Sequence, residues 1–280
     1  MKKFLTLILS IILTFALFTG CDKKENKVIL ISIDGLRADA VTNTEYGNYL
    51  IENSAYSLEV TTVIPSITLP CHTSMFYGVT PDVHEITSNV FNTSTPRKNG
   101  ICETLKENDK TSALFYNWEE ISYVATEGTT EISRYIPGSV EGWETSNEML
   151  YTAFIEYLTN NSTDFAFLYL GFLDENGHKY GWLTEEYYYA LNKSFNIVEK
   201  VVKYASDNGY TVIITSDHGG HDKGHGLDLK EDMTIPLFIV GNNYEKGRNL
   251  EKRSILDIAP TVTNILGVSA PDYWQGTAIK

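Results

Sequence analysis

The stretch YTVIITSDHGGHDKGHG, residues 210–226, sets the class of this fold. It opens with a short run of β-branched and aromatic residues that carries no charge, and it closes on Ser216, Asp217 and His218 followed by glycines. A continuous apolar run of this length, bounded by turn residues, reads as a strand buried on both faces, the pattern of parallel sheets covered by helices. The same arrangement recurs upstream: KVILISI runs into Asp34, and DFAFLYLGFL runs into Asp174. Further strand-like runs are AYSLEVTTV near residue 60, TSALFYN near 115 and IPLFIVG near 238. Helical stretches lie between them, notably EEYYYALNKSFNIVEKVVKYASDN from Glu185 and SILDIAPTVTNILG from Ser254. The expected fold is therefore α/β, a mostly parallel central sheet with helices on both faces. In such sheets ligands gather beyond the carboxyl ends of the strands, where Asp34, Asp174 and Asp217 fall. One aspartate there is an ordinary turn or cap residue; three, two of them with a nearby histidine, form a pattern.

Composition narrows the function. The chain has 280 residues, 42% hydrophobic and 12% aromatic, enough for a packed core. A formal net charge of −14, with no basic stripe, argues against a nucleic-acid duplex as partner. An anionic substrate would have to meet local positive charge, which a metal site supplies.

The N-terminus, MKKFLTLILSIILTFALFTGC, has two lysines, an apolar run too short for a good membrane span and small residues before Cys21. Residues 1–20 read as a signal peptide, and the residues up to Cys21 look like a bacterial lipobox in which that cysteine is lipidated. An ordinary cleaved signal and an uncleaved anchor are the alternatives. Residues 21–27 then form a charged tether and 28–280 a single catalytic domain, giving an exported cell-envelope lipoprotein held to the membrane by its lipid. Cys71 and Cys102 are expected to be unpaired.

Asp174 and His178 sit in DENGHKYG, where Asn176-Gly177 is expected to make a tight turn that folds both side chains toward one point. Asp217 and His218 are adjacent and can face one cavity. This mixture of oxygen and imidazole donors suits Zn²⁺, with Mn²⁺ as the alternative, and suffices for two ions. IPSITLPCHTSMFYG, residues 64–78, supplies a nucleophile: Thr68 lies between Pro65 and Pro70, and a hydroxyl bound to a divalent ion loses its proton readily.

Taken together, ISIDGLRADA, PSITLPCHTSMFYGVTPDVHEITSN, DENGHKYG and TSDHGG resemble the type I phosphodiesterase/nucleotide pyrophosphatase branch of the alkaline phosphatase superfamily. The resemblance runs from Val28 to the tail PLFIVG…DIAPTVTNILGVSAPDYWQG. It implies two divalent metal ions, a small phosphate ester or diester substrate and a phosphothreonine intermediate. By the same resemblance Asp34, Thr68, Asp217 and His218 belong to one metal site, Asp174 and His178 to the second, and Asn89 helps hold a phosphoryl oxygen. The last histidine departs from the pattern. In that branch it lies far downstream, whereas here none follows His225. The short spacing after SDHG resembles phosphoethanolamine-transferase relatives instead, so His225 is assigned to the second site. Gly224 and Gly226 flank it and would let the backbone approach an ion, and His221 is expected to face solvent.

Other readings stand beside this one. A head-group phosphodiesterase or phosphoethanolamine transferase, a phosphomonoesterase and a solute-binding lipoprotein without chemistry are the alternative functions. His72 and His84 read as structural, with a hydrogen bond behind Thr68 open to His72; Arg37 and Asp39 read as support in a first helical turn. Cys71 lacks the following residues of a sulfatase nucleophile. The stretch 118–145 reads as an irregular surface insertion, with an excursion over the active-site face as the alternative, in which Trp118 and Tyr123 are candidates for stacking on substrate.

Overall fold

The computed structural model describes residues 26–90 and 98–280. The signal peptide, Cys21 and most of the tether lie outside the described residues, as does Arg97. Among the described residues no helix is long and apolar enough to cross a membrane.

The strands are β1 (Lys27–Ile33), β2 (Ala55–Thr61), β3 (Ser112–Tyr116), β4 (Ile132–Tyr135), β5 (Phe165–Leu170), β6 (Tyr210–Thr215), β7 (Thr234–Val240) and β8 (Arg253–Ser254). They form one eight-stranded sheet in the order β4-β3-β5-β1-β6-β7-β2-β8. Pairing is parallel from β4 through β6 and between β2 and β8; β7 alone runs antiparallel to its neighbours β6 and β2. The α/β reading holds, with helices on both faces. Alternation along β1 shows how one strand serves two cores. Val28 and Leu30 face a cluster with Cys71, Met75, Ile101 and Val262, while Ile29, Ile31 and Ile33 face a second with Leu50, Phe154 and Leu191.

The long helix Glu185–Asn208 follows from its sequence. Thr184 caps it by accepting the Tyr187 N–H at 3.3 Å, Glu185 and Glu186 complement the positive end, and Gly209 closes it with φ +75°. Ala190, Leu191, Ser194, Phe195, Val198, Val201 and Ala205 bury one stripe of it.

The stretch 118–145 departs from expectation. Instead of an irregular insertion it holds a 3-10 turn (Glu119–Val124), the edge strand β4 and the start of a helix (Trp143–Asn160). Trp118 packs against the core, and Tyr135 stacks on Tyr116 with centroids 5.8 Å apart. A four-residue edge strand with no fully buried residue carries too little apolar alternation to announce itself. Cys71 and Cys102 are both buried and unpaired, as the sequence reading had it.

His84 is structural. Its Nδ1 accepts the Ile86 N–H at 3.0 Å and its Nε2 faces the Ser74 hydroxyl at 2.9 Å, so the buried ring is neutral. Burial pushes its pKa from 6.5 down to about 4. Between those values the unfolded chain takes up a proton that the folded chain refuses, so stability present above pH 6.5 is lost as pH falls toward about 4. Chemical denaturation should therefore show the stability gap between wild type and His84→Gln narrowing on acidification from pH 7.5 to 4.5, by on the order of 2 kcal/mol.

Candidate metal centre

Sheet register puts two carboxylates at one level. Ser32 pairs with Thr215, so Asp34 and Asp217 leave the sheet the same two residues later. Gly35 turns the chain there with φ +72°, and its N–H donates to Asp217 Oδ1 at 3.3 Å. From β5, the buried Tyr169 donates its hydroxyl to Asp34 Oδ2. Asp174 and His178 follow β5 on the helix Phe172–Tyr180, not on a tight turn. Spacing of four residues on a helix gives the same convergence, one turn apart on one face, with His178 Nε2 3.3 Å from Asp174 Oδ2. Asn176 is compatible with the helix because its amide donates to the Phe172 carbonyl at 2.8 Å.

The imidazoles are oriented by backbone. Nδ1 of His218 meets the Gly219 carbonyl at 2.8 Å, Nδ1 of His178 the Lys223 carbonyl at 3.1 Å, and Nδ1 of His225 the Ser66 carbonyl at 2.9 Å. A carbonyl only accepts, so each Nδ1 carries the hydrogen and each Nε2 turns inward. His218 Nε2 lies 3.3 Å from Asp34 Oδ1, from Asp217 Oδ2 and from Thr68 Oγ1. His225 Nε2 lies 3.2 Å from His178 Nε2 and 3.8 Å from Asp174 Oδ1. The rings of His218 and His225 stack at 3.7 Å. Two trios of donor atoms each fall within 4.8 Å, Asp34-Asp217-His218 and Asp174-His218-His225, so His218 borders both groups.

The electrostatics test whether cations fit. Burial, then Asp217 and Asp174, hold Asp34 well above the carboxylate range; burial and Asp174 raise Asp217 to about 7. Burial raises Asp174 too, but the hydrogen bond and charges of the histidines outweigh it and bring its pKa below the ordinary value. The Asp174 hydrogen bond in turn lifts His178 to about 9, whereas burial lowers His225 to about 4. Asp34 Oδ1, Asp217 Oδ2 and Asp174 Oδ1 are buried without a hydrogen-bond donor. Such orphaned oxygens facing inward Nε2 atoms leave acceptor against acceptor, a state that divalent cations relieve. Three carboxylates, three imidazoles and a hydroxyl fit two such ions, and the donor mixture suits Zn²⁺ or Mn²⁺.

Thr68 is the first residue of the helix Thr68–Tyr77 and is 5% exposed. At that position its N–H has no carbonyl a turn earlier to bond and lies at the positive helix end. Asn89 accepts the Leu69 N–H through Oδ1 at 2.9 Å, which leaves its amide N–H groups for another acceptor. Behind Thr68, His72 is fully buried between the Thr68 carbonyl and the Ser32 hydroxyl, each at 2.9 Å, and 3.4 Å from Asp217 Oδ2. Arg37 is committed to Asp39 at 2.6 Å and to the Gly220 carbonyl at 3.1 Å.

His221 does not simply face solvent. Its Nδ1 meets the buried Asp232 at 2.7 Å, whose other oxygen accepts the Leu227 N–H at 2.9 Å. That clamp closes the loop bearing His225. Of the two flanking glycines only Gly226, at φ +111°, needs to be glycine; a Cβ on Gly224 would meet nothing within 4 Å. Tyr169, Asp232, Ser66 and Trp182 escaped the sequence reading: three act through hydrogen bonds that no spacing encodes, and only Trp182, next to DENGHKYG, offered a positional hint. A recess of about 870 Å³ at the amino ends of β1 and β6 contains none of these residues.

Comparison with known proteins gives the family and the shared fold. Residues 28–232 match the model of the type I phosphodiesterase / nucleotide pyrophosphatase family. The chain belongs to that family. Rat ectonucleotide pyrophosphatase/phosphodiesterase family member 1 is 28% identical over 68% of this chain and 24% of its own length. Human GPI ethanolamine phosphate transferase 1 is 23% identical over 91% of this chain and 32% of its own length. The chain thus spans a third or less of either relative. Among solved structures, an inactive form of murine ectonucleotide pyrophosphatase / phosphodiesterase 5 in complex with AMP superposes with a TM-score of 0.73 at 16% identity, covering 88% of this chain and 96% of that one. This likeness shows the shared fold.

Gly35 carries a local prediction for this family member. A Cβ there would sit 3.0 Å from Asp174 Oδ1 on a left-handed backbone. Gly35→Ala should lower unfolding stability by about 1–2 kcal/mol or more, and Gly224→Ala by far less, in parallel denaturant titrations.

Proposed function

We propose that this chain is a two-metal phosphodiesterase/pyrophosphatase that hydrolyses phosphate diesters through a phosphothreonine intermediate. The observation that carries the reading is Thr68 Oγ1 at a helix N-terminus, 3.3 Å from His218 Nε2, beside carboxylate oxygens that lack donors. Asp34, Thr68, Asp217 and His218 would hold one ion and Asp174, His178 and His225 the other, with His218 bordering both. Such ions, when bound, would lower the pKa of the Thr68 hydroxyl and offset charge on the leaving oxygen. The Thr68 oxygen forms a bond to phosphorus as the bond to the leaving alcohol breaks. Water then attacks the same phosphorus in line with the bond to Thr68 Oγ1; that bond breaks, the water oxygen stays on phosphorus, and Oγ1 takes up a proton to restore the hydroxyl. Two inversions give net retention. The Asn89 amide and the backbone N–H of Thr68 would hold non-bridging oxygens. Arg37, committed to Asp39 and Gly220, offers no free guanidinium to a terminal phosphate dianion.

The location belongs to the same proposal: export, with a lipid on Cys21 holding the domain at the membrane and a small phosphate ester as partner. One second reading has a specific support. The ethanolamine phosphate transferase alignment spans 91% of the chain, and His225 follows His218 by only seven residues. Transfer to an acceptor alcohol rather than to water is the outcome that would favour it.

The deciding experiment is a panel of nitrophenyl diesters, nucleotides, glycerophospho head groups and monoesters on one preparation. Diester turnover should vanish on chelation and return with Zn²⁺ or Mn²⁺; turnover that survives full metal removal would rule the reading out. Thr68→Ala should abolish turnover with metal content retained, as measured by elemental analysis. Asn89→Ala should reduce kcat by on the order of 10²–10³, with metal content also retained.

A further inference from the structure

Trp182 touches the candidate centre at three points, and none of them is needed merely to fill a core. It is 7% exposed, and its indole Nε1–H donates to the Gly35 carbonyl at 2.9 Å, in the turn that follows Asp34. Its ring stands edge-on to His178 at 5.3 Å and to His225 at 6.0 Å. Two glycines make the space for it: a Cβ on Gly177 would fall 2.7 Å from the indole and one on Gly220 2.2 Å. Gly177 belongs to the helix of Asp174 and His178, and Gly220 to the loop that presents His225. The backbone N–H of Trp182 is itself held by the Asp222 carbonyl at 2.9 Å. One rigid side chain therefore contacts the β1 turn, the Asp174 helix and the His225 loop, which lie far apart in sequence.

We infer that Trp182 is a positioning residue that fixes His178 and His225 relative to the Asp34 turn and so sets the geometry of the second metal group. The inference rests on the two-metal reading above. An edge-on aromatic wall limits rotation of both imidazoles about the bonds their Nδ1–H groups leave free, while the indole N–H ties that wall to Gly35. Tyr187 provides an internal reference. Its hydroxyl also donates to the Gly35 carbonyl at 2.9 Å, yet its ring lies beyond Trp182, 6.3 Å from the indole.

Metal-free full chain is titrated with Zn²⁺ against a competing chelator, for wild type, Trp182→Leu, Trp182→Phe, Tyr187→Phe and His178→Ala. Wild type should take two equivalents, one of which His178→Ala removes. A wild-type protein that takes fewer than two sinks the two-metal reading itself. Trp182→Leu should weaken the His178-dependent equivalent about 10–100-fold with the other unchanged; Trp182→Phe should recover part of the loss, and Tyr187→Phe should change neither. Intrinsic fluorescence of wild type should respond to the His178-dependent equivalent, and that response should disappear in Trp182→Phe. Wild-type affinities for both equivalents in the Trp182 variants would overturn the inference while leaving the two-metal reading intact. Equal weakening of both would likewise overturn it in favour of a general structural role. Should Trp182→Leu fail to fold, the Phe variant and the wild-type fluorescence decide: no response at the His178-dependent step rejects the positioning role.

Discussion

Three carboxylates meet in the dry end of a sheet with oxygens that no donor reaches, and this crowding governs what surrounds it. Burial first, and then the neighbouring carboxylates, raise the pKa of both Asp34 and Asp217: Asp217 and Asp174 act on Asp34, and Asp174 acts on Asp217. A polypeptide tolerates the arrangement only if other parts of the fold hold the side chains in place and if cations compensate the charge. The holding is visible throughout: Gly35 N–H on Asp217, Tyr169 on Asp34, and backbone carbonyls on three imidazole Nδ1 atoms. Each of these bonds fixes a donor atom by way of a neighbour that does not itself face the centre.

The strands around the site are correspondingly rigid. β1, β5 and β6 are buried along nearly their whole length, and their parallel register brings Asp34 and Asp217 out together. Apolar burial on both faces thus does more than stabilise the sheet. It fixes the point from which charged residues emerge to within the stiffness of a packed core.

This is why much of the centre is legible in the sequence. Continuous apolar runs that stop at Asp34, Asp174 and Asp217 report both the fold class and the place of the carboxylates, because the same buried strands cause both. The spacing of Asp174 and His178 allowed turn or helix, and either brings the pair together, so the local structure was misread without moving the site. Elements whose sequence carries no such periodicity stayed hidden. β4 and β8 are short edge strands half in water, and the His221–Asp232 clamp joins residues 11 apart through a loop. Nothing in composition distinguishes a histidine held by a buried carboxylate from one in solvent.

The loop 219–227 ties the two halves of the site more tightly than a list of donors conveys. His225 gives its Nδ1–H to the carbonyl of Ser66, two residues before Thr68, and the Ser66 hydroxyl donates to the Leu227 carbonyl at 3.0 Å. The segment that presents Thr68 is therefore also the segment that aims the last imidazole. Asp232 braces the same loop from the other side, through His221 and the Leu227 N–H. A shift of the Thr68 helix start would rotate His225, and a loosened loop would release Ser66. With His218 bordering both groups of donor atoms and Trp182 walling the second, Thr68 and the clustered carboxylates and imidazoles form one mechanically coupled unit.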